Sequence, residues 1–333
     1  MVENHIYHGD VADFYGDWES PIVIISDGAY GVDGFDSDPR SPRDLADWYE
    51  PHINQWAEAA TAKTTLWIWN TELGWATIHP ILEEYGWKYR GANIWNKGMQ
   101  HIAGNCNTQT MRKFPQVSEV CVQYVWEEIE LSSGAKRVRD WLRDEWERAG
   151  LALQEANKAC GVADAASRKY FATDDQWYPP PQDQFKKLKE YANEHGDPKK
   201  APYFELPEEL QGIDPDDLTV PCAKFDLPTG VTNVWDDPPV DGKEREWDTS
   251  GGATHPNQKR IDHMERIIRV SSDEEDLVWE PFAGLGTGSV AAARLNRTSV
   301  AAETNEEYYE IAKERLEKAG NAGQQATFDD WER

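Results

Sequence analysis

Two short runs carry residues whose types and order could do chemistry. Asp27-Gly28-Ala29-Tyr30 follows the apolar run Pro21-Ile22-Val23-Ile24-Ile25. A carboxylate beside small residues offers two acceptors, the carboxylate and the next backbone carbonyl, to one hydrogen-bearing group. The ring at position 30 offers a face on which a flat substrate can stack. The second run is Glu280-Pro281-Phe282-Ala283-Gly284-Leu285-Gly286-Thr287-Gly288, which follows Val278-Trp279. A glycine-rich turn between a strand and a helix lets the backbone approach a ligand closely. A further strand, Thr298 to Ala302, ends in the carboxylate of Glu303. Together these pieces read as the first β-α-β unit of a nucleotide-type cofactor fold.

The elements that must hold these runs alternate between two periods. Pro21 to Ile25 is the β-branched run of a buried parallel strand, so its C-terminal end, with Asp27 and Tyr30, is where an open α/β sheet binds ligands. Thr64 to Asn70, Tyr89 to Trp95 and Val117 to Trp126 read as further strands, as does the short run ending in Gly9-Asp10. Arg43 to Ala62 and Thr77 to Tyr85 have helical periodicity, as does the stretch of Ile261, Met264, Ile267 and Ile268. This alternation predicts a three-layer α/β sandwich. The cofactor-type unit usually opens such a domain, yet here it comes after about 275 residues.

The pattern changes between the two runs. Residues 99 to 115 read as a polar loop with a basic end, either a substrate-closing loop or a plain connection. From about residue 130 the chain becomes helical and charged, and residues 195 to 250 are rich in Pro, Asp and Gly. Leu151 to Val162 and Ala163 to Phe171 fit a helix-turn-helix and equally an ordinary αα-hairpin. In the first reading Ser167, Arg168 and Lys169 point outward, towards phosphates or base edges. The expected divisions are 1–130, 131–250, 251–320 and a tail at 321–333.

Composition narrows the function classes. The 333 residues allow one or two domains. Sixty-one acidic residues against 34 basic ones give a net charge of −27. That balance disfavours non-specific nucleic-acid binding and suits a high-salt interior, where screening shortens the reach of repulsion. No apolar run approaches the ~20 residues of a membrane span, and Met1-Val2-Glu3-Asn4-His5 does not resemble a signal peptide, so a cytoplasmic protein without a membrane is expected. The four cysteines (Cys106, Cys121, Cys160, Cys222) form no C-x-x-C pair, and His5, His8, His52 and His79 show no ligand spacing, so no metal site is expected. Most of the 16 tryptophans, Trp67, Trp69 and Trp75 among them, read as core.

The motif order resembles that of the amino-group DNA methyltransferases, which methylate adenine N6 or cytosine N4 with S-adenosylmethionine. It is similar to the circularly permuted β group, with the catalytic tetrapeptide first, a target-recognition region in the middle and the cofactor motif last. Asp27-Gly28-Ala29-Tyr30, His255-Pro256-Asn257-Gln258-Lys259 and Glu280 to Thr287 carry the resemblance. It implies a Rossmann-like methyltransferase sheet in which the β-α-β strands from residues 278 to 303 come first, the strand ending in Gly9-Asp10 lies beside them and the strand Ile22 to Ile25 lies next. Residues 1–130 and 251–320 would be the catalytic and cofactor halves, and 131–250 a mostly helical and irregular target-recognition insert. Double-stranded DNA would be the partner, with room for a cognate restriction endonuclease; the sequence leaves the oligomeric state open.

The resemblance also implies roles. The exocyclic amine is a poor nucleophile because its lone pair is delocalised into the base. Acceptors at the Asp27 carboxylate and Gly28 carbonyl would draw it towards tetrahedral geometry, while Tyr30 stacks on a flipped base. Glu280 would bind the methionine ammonium, Glu303 the ribose hydroxyls, Asp10 the adenine amine, and Gln258 and Lys259 the methionine end. The turn formed by Phe282, Ala283, Gly284 and Gly286 would admit the cofactor closely. His255 reads as a structural residue. The acidic first residue of the tetrapeptide leans towards adenine. One departure stands out: the usual tetrapeptide has two prolines where this chain has Gly28-Ala29, which lack the stiffness that proline gives. A non-catalytic DNA-binding protein of the same fold is therefore an alternative, and a methyltransferase for RNA or a small molecule a third.

Overall fold

The computed structural model describes residues 4–32, 38–99, 110–126, 137–173, 176–207, 222–242, 244–248 and 250–322. Most of the loop expected at 99 to 115, parts of the insert and the tail lie outside the described residues. The chain divides into two compact units. One comprises Met1–Ala60, Thr64–Tyr124 and Phe225–Arg333, the other Thr61–Lys63 and Val125–Lys224. Residues 225 to 250 group with the sheet-bearing unit, so the compact insert ends earlier than the composition suggests.

The larger unit is built on an eight-stranded sheet. Its strands are β1 (Asn4–His8), β2 (Val23–Ser26), β3 (Thr65–Asn70), β4 (Lys88–Asn96), β5 (Ser118–Val125), β6 (Val234–Trp235), β7 (Leu277–Glu280) and β8 (Thr298–Glu303). They lie in the order β1-β8-β7-β2-β3-β5-β4-β6. The late pair β7 and β8 joins the early strands in one sheet, but the expected order is corrected: β8 and β7 stand between β1 and β2, because β1 pairs with β8 and β2 with β7, so β1 and β2 are not neighbours. All four pairings from β1 to β3 are parallel, with Asn4 opposite Ser299 and Val23 opposite both Val278 and Thr65. β6 was expected to be loop. Two residues are too short to show a period, and they join the sheet because Val234 and Trp235 pair with Ile94 and Trp95 of β4.

Helices cover the sheet because its central strands are apolar on both faces. The helices of this unit are α1 (Leu45–Ala59) and α2 (Glu72–Glu84), then α7 (Ile261–Ser271), α8 (Thr287–Arg294) and α9 (Glu306–Ala322), while α3 (Val138–Arg148), α4 (Leu153–Cys160), α5 (Ala165–Lys169) and α6 (Gln182–His195) belong to the smaller unit. Met264, Ile267 and Ile268 of α7 pack with Ala291 and Ala292 of α8 against Val23, Ile25, Trp67 and Trp69. Ala312 and Leu316 of α9 meet Ile6 and Ala301 at the β1 side. α1 buries Leu45, Tyr49, Ile53 and Trp56, one helical stripe. Each such side chain taken out of water contributes roughly 1.5–3 kcal/mol.

The smaller unit has its own core, in which Trp141, Leu142 and Trp146 of α3 meet Phe185 and Leu188 of α6 together with Phe171, Tyr203 and Phe204. α4 ends at Gly161 in the left-handed conformation, and α5 is only five residues long. The helix pair is thus present but its second helix is short. Among the described residues no helix is long and apolar enough to cross a membrane, and no group of three or more His, Cys, Asp or Glu side chains could hold a metal.

Candidate active site

A cavity of about 620 Å³ opens at the C-terminal ends of β1, β2, β7 and β8. Parallel strands bring to one place what the sequence keeps far apart: Asp10 after β1, Asp27 after β2, Glu280 at the end of β7 and Glu303 at the end of β8, all lining the cavity. Trp48 and His52 of α1 form part of the wall with Phe282, whose ring lies 5.0 Å from Trp48 and 4.9 Å from His52. Burial pushes His52 down to about 4, so this wall is neutral at neutral pH.

The turn from Glu280 to Gly288 is held by its own neighbourhood. The two oxygens of Glu280 accept from the Gly288 amide (2.7 Å), the Ser289 amide (2.7 Å) and the Ser289 hydroxyl (2.7 Å). These donors belong to the first turn of α8, where free N–H groups and the helix dipole favour an anion. Burial still pushes Glu280 up to about 7, against those hydrogen bonds. Glu280 therefore offers the cavity its charge rather than a vacant oxygen. Glu303 accepts from the Gly284 amide (2.7 Å) and the Asn305 amide (2.8 Å), which ties the second strand end to the turn. Gly286 caps α8 at φ +65°, and a Cβ there would come within 3.1 Å of Ala312 and 3.2 Å of Ile6. It serves backbone geometry and packing; Leu285 and Thr287 line the cavity, and Gly286 is not among the lining residues.

The turn from Asp27 to Tyr30 is held from outside. The Ala29 carbonyl accepts from the Tyr49 hydroxyl of α1 (3.2 Å) and the Asn70 amide of β3 (2.9 Å), and all three residues are buried. These bonds supply stiffness that the missing prolines would otherwise give, so the flexibility expected of Gly28-Ala29 is not what the structure has. A Cβ at Gly28 would fall 2.7 Å from the Phe282 ring and 2.9 Å from the Tyr49 hydroxyl. Glycine is required because the two motifs touch at this point.

Behind the turn lies a buried cluster of charge. The Lys259 ammonium sits 2.9 Å from Asp27 Oδ1 and 3.3 Å from Glu119 Oε2. Lys97 pairs with Glu119 Oε1. Tyr30 donates to Asp27 Oδ1 (2.8 Å), and the Lys259 ammonium lies 5.0 Å from the centre of its ring. With its amide turned to match its partners, Asn257 donates to Glu119 Oε1 (3.1 Å) and accepts from Lys259 (2.9 Å). Two carboxylates and two ammoniums balance, which is what makes their burial tolerable. Burial raises Asp27 above the ordinary carboxylate value, with the Lys259 pull opposing it. Burial alone would lower Lys259, but Asp27 and Glu119 together raise it. Burial and the two carboxylates hold Tyr30 well above its usual value, so it stays a protonated donor.

Of the residues singled out from sequence, Asp10, Asp27, Gly28, Ala29, Tyr30, Gln258, Lys259, Glu280, Phe282, Ala283, Gly284 and Glu303 all line the cavity. Two of them have other work than expected. Gln258 is buried, its amide donating to the Glu244 carbonyl (2.8 Å) and accepting from the Glu246 amide (3.0 Å), so it pins that loop and has both ends occupied. Lys259 belongs to the Asp27 cluster. Asp10 accepts from the Ala12 amide (2.9 Å) as a cap and stays exposed. His255 reaches the cavity with its imidazole pushed down to about 4 by burial and then by Lys259 and Arg245.

The smaller unit differs from expectation at Ser167. Its hydroxyl and amide are both bonded to the buried Asn157 (2.9 Å each), because a buried amide must be satisfied and Ser167 is what α5 offers it. Ser167 thus turns towards α4. Arg168 is exposed and paired with Asp164 (2.9 Å), while Lys169 is exposed with its ammonium 5.1 Å from the Tyr178 ring centre. Sequence reasoning missed Glu119, Lys97 and Asn70. Only Asn70 carried a signal, as the polar residue that ends the apolar strand β3; Lys97 follows the mixed strand β4 and Glu119 stands near the start of β5, where no pattern marks them.

A family model described as DNA methylase matches residues 15–314. The type II methyltransferase M.HpaI of Haemophilus parainfluenzae is 45% identical over 67 residues, which is 20% of this chain and 21% of that protein. The matched stretch thus spans about a fifth of that relative's length. Among solved structures, the cytosine-N4-specific PvuII DNA methyltransferase superposes with a TM-score of 0.54 at 11% identity, covering 96% of this chain and 91% of that one. The M1.HpyAVI–SAM complex does so with a TM-score of 0.51 at 18% identity, covering 95% and 99%. These two likenesses concern the fold.

Proposed function

The chain belongs to the DNA methylase family, and from that premise we propose that it moves a methyl group from S-adenosylmethionine to the exocyclic amine of a flipped base in double-stranded DNA. The observation that carries this reading is the meeting of Asp27 with Phe282 and the two strand-end carboxylates, Glu280 and Glu303, in one cavity. Its volume falls within the roughly 300–1,000 Å³ of small-molecule sites. The donor set suits the cofactor: negative charge for an ammonium at Glu280, a carboxylate for ribose hydroxyls at Glu303, and an aromatic wall at Trp48 and Phe282 for a flat ring. When bound, S-adenosylmethionine supplies an electrophilic methyl group on a sulfonium.

The chain's own residues then act on the amine. Tyr30 and Lys259 both engage Asp27 Oδ1, which leaves Oδ2 to accept from the amine with the Gly28 carbonyl. Two acceptors on one NH2 group localise its lone pair; as the nitrogen takes the methyl group, the methyl–sulfur bond breaks with its electron pair left on the departing thioether, and the surplus amine proton passes to the Asp27 carboxylate. The Tyr30 ring, with the Lys259 ammonium on one side, offers its other face to the base. The target is adenine N6 in this proposal, following the acidic first residue of the tetrapeptide. The smaller unit is the target-recognition region, with Arg168 and Lys169 as its candidate phosphate contacts. The non-catalytic alternative was motivated by the lost prolines, and the bonds from Tyr49 and Asn70 to Ala29 remove that motive.

Purified protein is expected to transfer labelled methyl from S-adenosylmethionine to duplex DNA, assayed from moderate to high salt. Mass spectrometry of the digested product should give N6-methyladenine. Cofactor binding without transfer to any DNA sinks the proposal, and N4-methylcytosine as the product overturns the choice of base.

A further inference from the structure

Glu119 touches neither the loop that would hold the cofactor nor the acceptor face of Asp27, yet it is buried in the same charge cluster. We propose that Glu119 is a positioning residue for the catalytic turn: it shares the Lys259 ammonium with Asp27, so that Asp27 is held in place as an acceptor without being locked into an exclusive ion pair. The inference rests on the methyl-transfer reading for its consequence in catalysis, but the charge sharing itself does not need a substrate.

The geometry carries the argument. Lys259 is almost wholly buried, and its ammonium lies 2.9 Å from Asp27 and 3.3 Å from Glu119. A buried ammonium with one carboxylate partner would hold that carboxylate in a tight ion pair and make it a poor acceptor. A second carboxylate on the same ammonium divides the attraction. Without Lys97 the cluster would carry a net negative charge, and Lys97 on the other oxygen of Glu119 restores balance. Both partners of Asp27 fall on Oδ1, so the divided pull acts through one oxygen of a residue that lines the cavity. The groups that face Asp27 are Lys259, Glu119 and Tyr30, with Asp38, Tyr49 and Cys121 nearby. Burial holds Tyr30, Tyr49 and Cys121 in their neutral forms, and burial with Asp27 pushes Asp38 up to about 6.

The test is a carboxyl 13C NMR titration of Asp27 in the full chain, assigned with Asp27→Asn. Glu119→Gln leaves the ammonium undivided, so the Asp27 midpoint should fall by about one pH unit. Lys259→Met leaves two carboxylates facing each other, so the midpoint should rise by about as much. The double variant should return towards wild type, because each change cancels the other's charge. The acid limb of the pH–rate profile for methyl transfer should move the same way in each single variant, with cofactor affinity by calorimetry near the wild-type value. A merely structural role would lower thermal stability, and transfer at every pH alike, without moving the midpoint. Equal midpoints in wild type and Glu119→Gln overturn the inference, as do shifts of the same sign in both single variants. Should Glu119→Gln fail to fold, Lys97→Met carries the test, with a rise expected and no change overturning it. If the midpoints move oppositely but wild type transfers no methyl, the cluster stands and the proposed function falls.

Discussion

The turn at Glu280 and the turn at Asp27 end neighbouring strands of one sheet, yet they are stabilised in different ways. The first folds back on itself: Glu280 takes the amides of Gly288 and Ser289 eight and nine residues on, and Glu303 takes those of Gly284 and Asn305. The second is held by side chains sent from elsewhere: Tyr49 and Asn70 on the Ala29 carbonyl, Lys259 and Tyr30 on Asp27, Glu119 and Lys97 behind them. The first turn takes most of its bonds from its own β-α-β unit, with Arg315 of α9 adding one to the Leu285 carbonyl. A turn held from outside transmits every change in its surroundings to its acceptors. On the proposed function, the difference would give binding to one turn and the rate of chemistry to the other.

Substitutions can break or sharpen that assignment. Asp27→Ala should cost the most, roughly 10²–10⁴-fold in methyl transfer, while calorimetry finds cofactor affinity nearly unchanged; retained transfer would remove Asp27 from the chemistry. Gly28→Ala comes next, because its Cβ would meet the Phe282 ring at 2.7 Å. A displacement on the order of 1 Å at the acceptors should lower transfer about 10²-fold. This is the one position where both turns should suffer, so cofactor binding should weaken with it. Glu303→Gln should act on the other turn alone, weakening the cofactor by about 1.5–3 kcal/mol and raising its KM while the rate at saturation stays close to wild type. A fall in that saturated rate as large as the change in KM would break the division.

The smallest effect is one of pH. Glu280 is pushed up to about 7, so the folded protein takes up its proton at a pH where the unfolded chain has already lost it. By itself this group makes the fold most stable below its unfolded value, and that contribution declines as pH rises towards about 7. Cofactor binding should run the other way, since an ammonium needs the ionised form. Affinity should weaken about tenfold as pH falls from about 8 to 6, and Glu280→Gln should flatten the dependence; an identical slope in that variant assigns it to another group.

The same contrast explains what the sequence made legible. Glu280, the glycines and Glu303 are close in the chain, so their order and spacing announced a strand, a turn and a second strand end. That the late unit shares a sheet with the early strands followed from its lateness, but not that it stands between β1 and β2, since strand neighbours leave no mark in motif order. Asp27 could be located because it ends a run of β-branched residues. Its supports could not, because Glu119 lies 92 residues after Asp27 (119 minus 27) and Lys259 140 after Glu119 (259 minus 119). Only the sheet order makes them neighbours, and no periodicity records it. Gly28 read as a loss of stiffness when it was a site of contact, since the ring that fills its Cβ position comes from residue 282. In the helical insert the pattern gave the helix pair correctly but not its facing side chains, because one buried amide, Asn157, turns Ser167 inward.

The place of β8 has a consequence for how the protein is made. β1 stands at the edge of the sheet and β8 is its neighbour there, with Asn4 opposite Ser299, 295 positions later (299 minus 4). At roughly 5–20 residues per second, a ribosome takes on the order of 15–60 seconds between the two. For that time the first strand has no partner in the sheet, and the Asp27 turn has neither Lys259 nor Phe282 to close it. Pairing across so long a separation is also slow in itself. On the proposed function, activity should therefore appear only once the last two strands have taken their places between β1 and β2.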